Sequence, residues 1–165
     1  MIGIGGATAT KVLQLLVGPE GLNASIGAVT ASTGILVPQI PEEHIFTDNV
    51  SSDLAETSAG AKYTSVYVYC EKIANVLTEK FRGFSGRIQM AVEVRVSQDR
   101  LEDLAKKLQL YTDAVSQVLG QSRGDWGQGL FYGGAYEVNF SAVKHGGRNF
   151  IKTGKIIFQV DASVN

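Results

Sequence analysis

The chain reads as an α+β fold: a mostly antiparallel or mixed sheet with one long helix packed on a face, a long C-terminal hairpin and an apolar helical N-terminal segment. Three observations predict this. Residues 87–96 alternate apolar and polar, the stretch that follows repeats apolar residues every three or four positions, and two further alternating stretches flank Gly146-Gly147.

From the N-terminus, residues 1–34 are small and apolar, with Lys11 and Glu20 as their charged side chains. Two short helices are expected, over 8–17 (Val12, Leu13, Leu15, Leu16, Val17) and 21–31 (Leu22, Ile26, Val29), and the run Gly3 to Lys11 reads as a flexible arm leading into a helix. A segment so poor in charge packs either on the domain's own sheet or against a neighbouring subunit. In the second case, deleting residues 1–34 would leave 63–160 folded and impair assembly. Residues 35–61, with Pro38, Pro41, Asp48, Asn49 and Asp53, read as a long irregular connection of the kind that is functional or mobile.

Tyr63, Ser65, Tyr67 and Tyr69 alternate with Thr64, Val66, Val68 and Cys70, which suits a strand covered on both sides. Residues 71–86 are ambiguous: Ile73, Val76, Leu77 and Phe81 fit a helix, whereas Phe84-Ser85-Gly86 is turn-like. The next strand places Ile88, Met90, Val92, Val94 and Val96 on one face and Arg87, Gln89, Glu93 and Arg95 on the other. Ser97 then suits an N-cap, Asp99, Glu102 and Asp103 complement the positive helix end, and Gly120 supplies a stop. Between them Leu101, Leu104, Leu108, Tyr111, Val115 and Val118 form an apolar stripe. That stripe needs a partner, and the apolar sheet face is the nearest one. Residues 130–143 and 149–160 complete a hairpin around Gly146-Gly147-Arg148. The organisation is thus a helical segment and loop, 1–62, and an α+β core, 63–165, within a single domain.

At 165 residues the chain is long enough for a real core, since a domain of about 150 residues buries roughly 70% of its unfolded surface. The single cysteine, Cys70, excludes an internal disulfide framework and reads as a small, mostly buried residue. A net charge of −1 argues against a protein that coats nucleic acid. The apolar runs are short of the roughly 20 residues a spanning helix needs, and the start lacks the basic region of a signal peptide, so a soluble protein made in the cytoplasm is expected. The 19 glycines are well above the usual share of about 7% and imply many loops and close backbone contacts.

The sequence displays little chemistry. His44 follows Glu42-Glu43, but the spacing matches no recurrent metal pattern and reads as a loop or helix start. His145, in Lys144-His145-Gly146-Gly147-Arg148, is flanked by positive charge that disfavours a cation. The run Gly3 to Lys11 lacks the Gly-Lys-Ser/Thr of a phosphate loop and follows no strand. No GxSxG elbow supports a serine nucleophile. No catalytic residue, cofactor or metal is expected, and the chain reads as a non-enzyme. What stands out instead is a set of residues in turns: Arg82, Arg87, Arg123, Trp126, His145, Arg148 and Lys152. Arg and Trp at loop tips are favoured interface anchors, while Trp126 equally suits a plug at one end of the domain's own core.

The run Phe81-Arg82-Gly83-Phe84-Ser85-Gly86 before an alternating strand, the helix over 100–119, then Phe131-Tyr132-Gly133-Gly134-Ala135-Tyr136-Glu137-Val138 and Lys144-His145-Gly146-Gly147-Arg148-Asn149-Phe150, resembles the neck and tail-terminator proteins of tailed bacteriophages. The resemblance covers about residues 63–164 and rests on element order and loop signatures. It implies a virion subunit forming a homo-oligomeric ring, usually a hexamer, with the tail tube protein on one side and a head-completion or connector protein on the other. Such a ring ends tube growth and lines the channel through which DNA passes, and the seven turn residues become its candidate interface and channel positions. A head-completion or stopper ring of the same neck is the alternative within that class. Outside it stands a small ligand-binding α+β domain using His44 and its neighbouring carboxylates.

Overall fold

A computed structural model describes residues 3–48, 64–146 and 149–165. The segments around Asp53 and Tyr63, and the turn residue Arg148, lie outside the described residues. The architecture is α+β, with three α-helices and a mixed seven-stranded sheet among the described residues. In chain order the elements are α1 (Ile4–Val17), α2 (Leu22–Thr33), a 3₁₀ turn (Glu42–His44), β1 (Ile45–Phe46), β2 (Thr64–Asn75), β3 (Phe84–Gln98), α3 (Leu104–Gln121), β4 (Gly124–Gly127), β5 (Leu130–Phe140), β6 (Lys144–Gly146) and β7 (Asn149–Val164). The strand order is β1-β2-β3-β7-β5-β4, with β6 beside β7. The pair β1–β2 is parallel and the others are antiparallel.

The spine is the β3–β7 ladder, which runs without a break from Phe84↔Val164 to Gln98↔Phe150. Because side chains alternate across a strand, Ile88, Met90, Val92, Val94 and Val96 line up with Phe158 and Ile156 on one buried face. Onto this face packs α3 through Leu104, Leu108, Tyr111, Val115 and Val118, all of them buried. The helix crosses β7 at Gly154, where a Cβ would stand 2.6 Å from Thr112 Cγ2 and 3.3 Å from Phe140 Cε1. A side chain there would lift the helix off the sheet.

The helix boundaries differ from the sequence expectation. Ser97 is not an N-cap but the penultimate residue of β3, because the long β7 keeps β3 paired through Gln98. The Gln98 amide then donates to the carbonyls of Arg100 and Glu102, each at 2.8 Å, and turns the chain. Leu101 stays exposed in that turn. The helix begins at Leu104 behind Asp103, which has φ 61° and makes no side-chain cap bond. At the other end Gly120 does not stop the helix. Ser122 does, its N–H reaching the Val118 and Leu119 carbonyls at 3.1 Å.

Both N-terminal helices belong to the same core. Val12, Leu16, Leu22 and Ile26 are at most 2% exposed and lie in one cluster with the sheet and α3. The expected flexible arm, Gly3 to Lys11, is instead the N-terminal half of α1, since the helix starts at Ile4. Gly5 has a packing reason: a Cβ there would sit 3.1 Å from Cys70 Sγ and 3.2 Å from Ile73 Cδ1 on β2. The described part of the connection after α2 is also built in. The Asn23 amide donates to the Ile40 carbonyl and accepts from its N–H, both at 2.9 Å, and Tyr111 donates to the Pro38 carbonyl at 2.6 Å. Val37 and Ile40 are buried as a result.

Residues 71–86 contain no helix. β2 continues to Asn75 past a bulge between Cys70 and Lys72, and a turn leads into β3. The apolar residues that fitted a helix there, Ile73, Val76, Leu77 and Phe81, stand exposed.

Candidate functional site

The sheet face opposite α3 carries a polar and aromatic network. Tyr67 and Tyr69, directly across the ladder from Glu93 and Ala91, are 5% and 6% exposed. Tyr69 donates to Glu93 Oε1 at 2.6 Å. The other carboxylate oxygen accepts from Arg95 Nε at 3.2 Å and Nη2 at 2.8 Å. The Arg95 guanidinium lies 4.0 Å above the Tyr67 ring, a cation–π geometry, and Phe46 stacks on the same tyrosine at 5.1 Å. Farther along, Glu71 bridges Lys155 and the Gln89 amide, and Lys155 in turn lies 5.8 Å from the Tyr69 ring. Burial and the hydrogen bond to Glu93 push the Tyr69 hydroxyl far above its ordinary range, so it remains a neutral donor. Burial alone would raise Glu71, but the bonds from Lys155 and Gln89 outweigh it and hold this carboxyl below the usual range. These groups bind one another across three strands, which makes the network a structural clasp between β2, β3 and β7.

The predicted turn residues that are described fall at opposite ends of the sheet. Arg87 is opposite Asp161, and Lys152 is opposite Val96, nine residues farther along β3. At about 3.4 Å per residue that places them roughly 30 Å apart. At the first end, Arg82 Nε is 3.2 Å from Glu79 and its Nη1 donates to Asn165 at 2.9 Å. Arg87 is exposed and 3.7 Å from Asp161. Arg123 is exposed, with its methylenes over the backbone of Gly134. Trp126 is half-buried: its ring lies 5.5 Å from Tyr132, which meets Phe158 edge-on at 5.3 Å, and its Nε1 donates to the Ser122 carbonyl at 2.6 Å. The indole therefore closes this end of the core. Burial, with Tyr136 nearby, pushes the Tyr132 hydroxyl up to about 12. At the opposite end, exposed His145 rests 4.8 Å from the Phe150 ring, and Lys152 is half-buried.

His44 sits in the 3₁₀ turn, half-buried, beside exposed Glu42 and Glu43. Among the described residues no group of three His, Cys, Asp or Glu side chains is placed to hold a metal ion. Burial pushes the Cys70 thiol up, away from the reactive thiolate. No single described helix is long and apolar enough to cross a membrane. Only α1 and α2 together reach that length, across a 45° bend, and their apolar sides are turned into the core.

Sequence reasoning missed two surface features. Two groups of apolar side chains stand exposed on opposite borders of the sheet. One is Ile73, Val76, Leu77 and Phe81 at the end of β2 and in the turn after it; the other is Phe131, Tyr136, Phe140 and Val143 along and just after β5. Beyond Tyr67 on β2 and beyond Tyr132 on β5, each strand pairs on one side alone among the described residues. The signal lay in the exposed turn and in the aromatic content of 130–143, where strand alternation was readable but the absence of a covering layer was not. No protein-family model matches the chain, and no curated protein matches it either.

Proposed function

We propose that this chain is a structural ring subunit of a phage neck, a tail terminator that ends the tail tube and joins it to the head-side connector around the DNA channel. The observation that carries this reading is the pair of unlike apolar borders on one sheet, Ile73 to Phe81 on one side and Phe131 to Val143 on the other. Apolar side chains grouped on a surface mark contact sites, and two different patches per subunit are what a closed head-to-tail ring requires. In this reading α3, lying along the sheet, and the long C-terminal hairpin of β5 and β7 form the rigid frame, while the loops at the two sheet ends meet the neighbouring rings. Basic side chains at both ends, Arg82 and Arg87 at one and His145 and Lys152 at the other, suit passage of DNA without tight retention.

The test is the solution mass of the purified chain together with imaging of virion necks that contain it. A ring seated on the tail tube is the expected result. A ring seated on the portal side would replace the terminator by a stopper, and a strictly monomeric chain absent from particles would overturn both.

A further inference from the structure

Phe81 is 98% exposed at the tip of the turn between β2 and β3, yet the turn that carries it is tightly held. Ser85 N–H donates to Asn75 Oδ1 and Val76 N–H to the Ser85 carbonyl, each at 3.1 Å, and Glu79 N–H donates to Ser85 Oγ at 3.1 Å. Thr78 bonds to the same hydroxyl. Glu79 is fixed by Ser163 at 2.8 Å and by Arg82, which also reaches Asn165. Leu77 in this turn has φ 50° while being 55% exposed. A non-glycine residue in that region carries a backbone cost and points to a shape held for a purpose. A rigid turn presenting a bare phenyl ring is a preorganised anchor, since little entropy remains to be lost on docking.

The same chain carries a matching receptor on the opposite border of the sheet. An open groove of about 510 Å³ spans β3, β7 and β5, with Gly133, Ala135 and Ile157 in its lining beside the polar Gln89, Glu137 and Gln159. Nothing stands over Gly133. Arg87 also reaches the groove and is 3.7 Å from Asp161. Glu137 makes no ion pair among the described residues, and neither does Lys80 beside Phe81. Anchor and groove lie at the same end of the sheet, near Gly86 and Asp161, but on borders separated by three strand spacings, roughly 14 Å. A rotation about an axis along the strands keeps that end level, so the anchor of one copy comes alongside the groove of the next.

We propose that copies of this chain join head to tail by seating Phe81 of one in the β5–β7 groove of its neighbour, with Lys80 against Glu137. The contact deepens the ring reading by naming its joint, yet it is testable apart from any role in a phage. The experiment is self-association of the full chain by mass measurement across concentration, with thermal melts as a folding control. Phe81→Ala is expected to weaken association by at least ~30-fold, as loss of a buried aromatic anchor does, with melting of the dilute chain unchanged. Lys80→Glu and Glu137→Lys are each expected to weaken it, and the double variant to restore it. A wild-type chain that stays monomeric overturns the proposal, as does wild-type association by Phe81→Ala or failure of the charge swap to rescue. If rings form but these variants leave them intact, the joint falls while the ring reading stands.

Discussion

Tyr69 and Glu93 are joined by a 2.6 Å hydrogen bond on the face of the sheet away from α3, and the same carboxylate holds Arg95 through its second oxygen. Glu93 thus serves both residues, and both are almost wholly shielded from water.

Removing one partner is therefore expected to be felt beyond that partner. Tyr69→Phe should cost about 1.5–3 kcal/mol, the typical effect of losing a hydrogen bond to a charged group. Glu93→Ala should cost about 3–5 kcal/mol, because it withdraws the carboxylate from a buried guanidinium as well. Urea unfolding of the two variants checks the order. Equal costs would show that Arg95 does not depend on Glu93.

At the crossing of α3 and β7, Gly154→Ala should destabilise by about 1–3 kcal/mol through overpacking. The new Cβ meets Thr112 Cγ2 at 2.6 Å. Adding Thr112→Ser removes that methyl and keeps the hydroxyl that donates to the Gln109 carbonyl at 2.8 Å. The double variant should regain most of the lost melting temperature.

The Glu71 carboxyl is held below its ordinary value of 4.5 in the folded chain. Its contribution is then fully present above the unfolded value and is lost as pH falls through the lower, folded value. Acid titration of stability should show a decline below about pH 4.5 that is shallower in Lys155→Met. A profile unchanged by that substitution would mean the Lys155 contact adds nothing to folding.

Deletion of residues 1–34 now has a different expected outcome from the one their composition allowed. Val12, Leu16, Leu22 and Ile26 are enclosed with Val92, Leu108 and Tyr111, and each large-to-small change at such a position costs about 2–5 kcal/mol. The truncated chain should lose its cooperative unfolding transition, a result read directly by calorimetry.

The pattern Ile88 to Val96 and the stripe Leu104 to Val118 were legible because a face buried along its whole length writes its period into adjacent residues. Residues 71–86 misled for the converse reason. Ile73, Val76, Leu77 and Phe81 carry a helix-like spacing, but Ile73 belongs to the bulged strand β2, beside Gly5 of α1, and the other three stand exposed beyond it, which only the pairing with 86–90 determines. Glu93 and Arg95 read as a solvent face, since alternation assigns charge to water. Tyr67 and Tyr69, placed beside them by a register invisible in local sequence, enclose them instead. The helix start moved to Leu104 because the length of β7, some fifty residues onward, decides where β3 ends. Of the expected turn residues that are described, Trp126 faces the core and the others divide between two ends of the sheet, a division that again depends on register.

The unbroken β3–β7 ladder joins segments more than fifty residues apart along the chain. A nascent chain that has completed β2, β3 and α3 must therefore hold the row from Ile88 to Val96 with one flank of β3 still vacant until β7 emerges. Such order of contact makes for slow folding and an interval of vulnerability to aggregation. Refolding yield should accordingly fall with concentration, and a cell producing the protein in quantity would gain from a chaperone that shields β3 during that wait.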